Sequence, residues 1–136
     1  MKAYHFDQSL IWHVVFHPAP AWWARKYRHV SLAGYCDDTW LNIDLQRRGV
    51  SVASIYRYDE VNDYLSFLLT HYTVVKFGPT RGVSKSFLAP MTCVSFAKHV
   101  LGVRCSALRP DGLLTSLVSN FDAEVLNETE DHRRNS

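Results

Sequence analysis

Residues 29–35 and 39–45 are two runs of alternating residues facing each other across Cys36-Asp37-Asp38, and no other stretch constrains the chain as tightly. Such alternation around a short polar step predicts an antiparallel strand pair joined by a tight turn. Side chains two apart share a face, so Val30, Leu32, Leu41, Ile43 and Leu45 belong to one side. His29, Ser31, Ala33, Trp40, Asn42 and Asp44 belong to the other. The apolar side is expected to be buried. The polar side is either open to solvent or the floor of a cleft roofed by a later helix. With Cys36 and Asp37 as the turn, His29 lies opposite Asp44 and Ser31 opposite Asn42. A loop longer by two residues moves His29 opposite Gln46 and makes Asp44 a diagonal neighbour.

Around this hairpin the other elements fall into order. Residues 9–16 read as a β-branched and aromatic strand ended by Pro18 and Pro20, and residues 21–27 as a short helix ending in basic residues. Arg47-Arg48-Gly49 turns the chain into a strand over 50–56, which completes a three-strand meander. The period then changes: Val61, Tyr64, Leu65 and Leu68 share one face of a helix over 59–70. A strand over 72–77, a loop over 78–89 and two helices follow, the last starting near Pro110 and running through Leu113, Leu114 and Leu117. With 136 residues, 47% of them hydrophobic, the chain has material for one core. The expectation is a single α+β domain over residues 1–126. It has a central antiparallel sheet of four to six strands, helices packed on one side and a helix beginning at Cys93 crossing it. Residues 127–136 carry no apolar side chain and are expected to form a disordered C-terminal tail.

The helix over 93–101 carries the chemistry of interest. Thr92 is its expected N-cap and Gly102 its stop, and Cys93, Phe96, Ala97, Val100 and Leu101 form its apolar stripe, with Ser95 and Lys98 on the other side. A thiol in the first turn feels unpaired backbone N–H groups and the positive end of the helix dipole, and both favour the thiolate. The competing reading is a packed cysteine, since free cysteines are commonly buried. A nucleophilic sulfur needs a base and a third polar group to hold that base. The polar face of the hairpin offers His29 as base, with Asp44 or Asn42 as the third group. His99 lies too far along the same helix to serve Cys93.

Other signals narrow the field. Cys36, Cys93 and Cys105 are odd in number and lack zinc-type spacing, so they read as free thiols in a reducing compartment. His13 and His17 share a strand face without acidic or cysteine company, so no metal or other cofactor is expected. A net charge of +2 gives no strong nucleic-acid signal, and Arg25, Lys26, Arg28, Arg47 and Arg48 fit solvated turns and helix ends. The four tryptophans are read as core residues rather than as the lining of a groove. No apolar stretch is long enough to span a bilayer, and the first eight residues do not look like a signal peptide. A cytoplasmic protein, or one packaged in a phage particle, is the expectation.

His29-Val30, the strand ending Asn42-Ile43-Asp44, and Thr92-Cys93-Val94-x-Phe96 together resemble the circularly permuted papain-like hydrolases of NlpC type. That branch includes the lecithin:retinol acyltransferase-like proteins. The late Cys-Val-x-Phe-x-Lys helix is similar to one in small phage and prophage proteins. The likeness runs from about Val30 to Leu117. It implies a permuted papain-like fold and a cysteine peptidase, amidase or esterase with Cys93 as nucleophile, His29 as base and Asp44 as orienting residue, Asn42 being the substitute. It also implies a peptide or amide substrate, with a peptidoglycan stem peptide the first to test. Retinol acyltransferase-like members carry a second histidine, whereas this chain has none between His29 and His71. The rival expectation is a catalytically silent scaffold whose partners are phage structural proteins of the virion or tail.

Overall fold

Val14, Val15 and Phe16 are consecutive and all buried, which a strand achieves only when both faces of its sheet are covered. A computed structural model describing residues 10–36, 38–80 and 92–127 places that strand, β1 (Leu10–Pro18), inside a six-stranded antiparallel sheet. The other strands are β2 (Tyr27–Cys36), β3 (Thr39–Gln46), β4 (Gly49–Ile55), β5 (Thr73–Thr80) and β6 (Glu124–Val125), in the order β4-β3-β2-β1-β5-β6. The helices are α1 (Tyr58–His71), α2 (Cys93–Leu101) and α3 (Pro110–Asn120). No helix among the described residues is long and apolar enough to cross a membrane.

The helices do not all lie on one side of the sheet, as the sequence suggested. Trp12, Val14, Phe16, Val30, Leu32 and Val75 pack with Val94, Ala97 and Leu101 of α2 and Leu113 and Leu117 of α3. On the opposite face, Val15 and Val74 pack with Leu68 of α1, and Ala33 and Trp40 with Val61 of α1. The polar side of the hairpin is therefore roofed by α1 rather than by the cysteine helix. The continuous apolar run of β1 already carried that information, because a sheet with helices on one side has alternating strands. Gly34 of β2 leaves room for β1: a Cβ there would sit 2.6 Å from the Ile11 carbonyl oxygen.

Two further readings change. Residues 21–26 form turns and bends, not a helix. The Asp111 carboxylate at the start of α3 accepts from Lys26 N–H at 2.8 Å and Tyr27 N–H at 2.9 Å, and Ala19 N–H donates to the Lys26 carbonyl at 2.7 Å. Those partners come from far along the chain, so no local pattern shows them. At the other end Asn127, assigned above to the tail, is part of the folded structure. Its Oδ1 accepts from Val74 N–H at 2.8 Å, and its Nδ2 donates to the carbonyls of Leu69 and Tyr72. Residues 128–136, the rest of the expected tail, lie outside the described residues, as does most of the expected loop over 78–89.

The cysteine helix forms as its caps dictate. Thr92 Oγ1 accepts from Ser95 N–H at 3.1 Å while Thr92 N–H donates to Ser95 Oγ at 2.8 Å, a reciprocal box that satisfies two backbone donors. Ser95 is thereby buried, although its polarity had placed it on the outer side. Gly102 ends the helix in the left-handed conformation, with φ 71°. Lys98 Nζ donates to the carbonyls of Cys105 and Ala107 at 3.0 and 2.8 Å, tying down the link to α3. The buried stripe centres on Val94, Ala97 and Leu101, which leaves Cys93 half-buried on its flank.

Candidate functional site

The β2–β3 register is the alternative one. Cys36 pairs with Thr39, Ala33 with Asn42 and Leu32 with Ile43, two residues away from the register that puts His29 directly opposite Asp44. An even shift keeps every side chain on its face, so the polar set stays together. Asp44 becomes a diagonal neighbour of His29 and its Oδ1 meets His29 Nε2 in a hydrogen bond. The two side chains are 22% and 32% exposed, enough to shield the contact without sealing it from water. The Asn42 Oδ1 accepts from Trp40 Nε1 at 3.1 Å.

The pairing of β2 with β3 ends at Leu32 and Ile43, although β2 reaches back to Tyr27 and β3 on to Gln46. Val30 and His29 therefore lie in a stretch of β2 with no β3 partner. The first residue of α2 comes to this stretch, close enough for the His29 side chain and the Val30 backbone to act on the Cys93 thiol. Burial alone pushes the Cys93 thiol up. The hydrogen bond from His29, the N–H of Val30, the charge of the imidazolium and the N–H of Val94 together outweigh it and hold the thiol below its ordinary value. His29 moves the other way. Its hydrogen bond to Cys93 raises it, burial opposes, and the bond and charge of Asp44 raise it further. A depressed thiol beside an elevated imidazole is the pattern of a thiolate–imidazolium pair.

His17 is the member of the site that sequence reasoning missed. It is the cross-strand partner of His29 in the β1–β2 ladder, with ring centroids 5.0 Å apart and planes at 72°. Its Nε2 is hydrogen-bonded to Ser31 Oγ at 2.9 Å, and its ring packs on Tyr72 at 4.7 Å. Burial first, then the charge of His29, lowers its pKa to about 4, so it is neutral near pH 7. The spacing of His13 and His17 suggested only a shared face. His13 instead packs on Trp40, ring centroids 5.2 Å apart. A cleft of about 200 Å³ opens on this face, its walls including His17, Ser31, Asp44, Gln46 and Tyr64. Cys36, Cys93 and Cys105 are all unbridged.

Compared with known proteins, the chain matches no family model, no curated protein and no solved structure.

Proposed function

We propose that this protein is a cysteine hydrolase in which Cys93 attacks a peptide, amide or ester carbonyl. The observation that supports it is the hydrogen bond of the His29 imidazole to the Asp44 carboxylate, with the Cys93 thiol beside that imidazole and lowered by it. Asp44 accepts from the Nε2–H, which leaves the lone pair on Nδ1 as the base for the thiol proton. The thiolate adds to the carbonyl carbon, forming a C–S bond, and the Cys93 N–H at the start of α2 stabilises the oxyanion. Collapse breaks the C–N or C–O bond while the imidazolium gives its proton to the departing amine or alcohol. Water, deprotonated by His29, then cleaves the thioester, releasing a carboxylic acid and restoring the thiol. A peptidoglycan stem peptide is the first substrate to assay, in keeping with the cell-wall peptidases that the motifs resemble.

The rival is a silent scaffold for a phage virion or tail, and it draws on the packing of Cys93 against the main core. One experiment separates the two. Native protein is treated with iodoacetamide at pH 6, and labelling of Cys93, Cys36 and Cys105 is read by mass spectrometry. Selective labelling of Cys93, lost in His29→Ala, together with a hydroxylamine-sensitive acyl adduct from an activated ester, supports the hydrolase. Silence of Cys93 until denaturation supports the scaffold.

A further inference from the structure

We infer that His17 is a positioning residue, its ring seated edge-on against His29 so that the imidazole keeps the one orientation that faces Cys93 and Asp44 together. The inference rests on the hydrolase reading for its purpose, and on the geometry of β1 and β2 for its substance. An imidazole that must touch a sulfur on one side and a carboxylate on another has little tolerance for rotation about its Cβ–Cγ bond. His29 lies on the unpaired end of β2 and has no neighbour from β3 directly beside it. The wall it needs comes from β1 instead, where the ladder still runs and pairs His17 with His29.

His17 is itself held from two sides, by the hydrogen bond to Ser31 Oγ at 2.9 Å and by the Tyr72 ring at 4.7 Å. Its Nε2 is thus occupied, and its neighbours explain why it is not a second base for the sulfur. The titratable and charged groups around it are His29 and Arg28 of β2, Asp44 of β3, Tyr64 of α1 and Tyr72 at the end of that helix. A cation at this position would repel the imidazolium of His29. A ring kept neutral by burial supports it without that cost.

The test uses the full chain and two readouts. The His29 imidazole is titrated by ¹⁵N–¹H NMR, and the rate of Cys93 alkylation is followed from pH 5 to 9. His17→Ala removes the wall. The expected result is a fall of about one unit in the His29 pKa and a drop of about tenfold in alkylation at pH 6, the two being the same loss read from either partner. His17→Phe keeps a ring of similar outline and is expected within about 0.3 unit of the native protein in the His29 pKa and within about twofold in alkylation. If His17→Ala does not fold, His17→Gln replaces it, since it can reach Ser31 but presents no ring. Unchanged His29 titration and alkylation in the ring-less variant would overturn the inference. So would a phenylalanine variant as impaired as the ring-less one. If Cys93 in the native protein proves unreactive, the hydrolase reading falls, and the His29 titration still decides whether His17 positions it.

Discussion

Beneath α2 and α3 the sheet presents Val14, Phe16, Val30, Leu32 and Val75, all buried in one cluster. Beneath α1 the same strands present His17, Ser31 and Asp44 around a cleft, with two small apolar clusters beside it. One side is built to bury area and the other to place polar groups. Most of the hydrophobic stabilisation of the domain therefore comes from the first, and the second can hold buried imidazoles that cost stability. Cys93 belongs to both, since it packs against the main core and its thiol is lowered by His29.

The largest effect that sharpens this contrast is expected from Leu113→Ala. Leu113 is fully buried in the α3 cluster, and its truncation is expected to lower unfolding stability by about 4 kcal/mol in urea titrations. The rate of Cys93 alkylation should not change. Acid comes next. His17 is depressed to about 4 from 6.5, so the unfolded chain takes its proton first, and stability falls as pH drops through that window, by at most about 3 kcal/mol. His29 is raised, so its contribution is full below 6.5 and is lost as pH rises through its folded value. Urea midpoints of the native protein and His17→Phe between pH 7 and 4 isolate the first of these, and parallel curves would break the argument.

Asn127→Ala removes the partner of the part-buried Val74 N–H and is expected to cost about 2 kcal/mol. It acts on β5 and on the end of α1, and should change alkylation less than Asp44→Asn does. Asp44→Asn closes the series. As a partly exposed pair its loss is expected to cost less than about 1 kcal/mol of stability, yet thiol alkylation at pH 6 should fall about tenfold. A large destabilisation by Asp44→Asn, or a large loss of thiol reactivity in Leu113→Ala, would mean that the two faces are not separable in this way.

How legible all this was depends on whether the cause was local. The cysteine helix is specified by Thr92, Ser95 and Gly102, all within or beside it, and its bounds could be read in advance. The partnership of His29 with Asp44 survived an error of two residues in register, because an even shift preserves faces and leaves a diagonal contact within reach. His17 could not be found the same way. It meets His29 through the β1–β2 ladder, and the eight residues between those strands are a long connection, too long for a two-residue hairpin turn to fix the register from sequence. The false helix over 21–27 and the two-residue β6 have the same origin, since Asp111 and β5 decide them from a distance.

The candidate site draws one side chain from each of the consecutive strands β1, β2 and β3, and its sulfur from α2, which β4, α1 and β5 separate from them. Synthesised from the N-terminus, the polypeptide has its imidazoles and carboxylate in hand well before the sulfur appears. On the proposed hydrolase reading, enhanced nucleophilicity is expected only on completion of the tertiary structure, and the onset of alkylation during refolding would serve as a clock for the docking of α2.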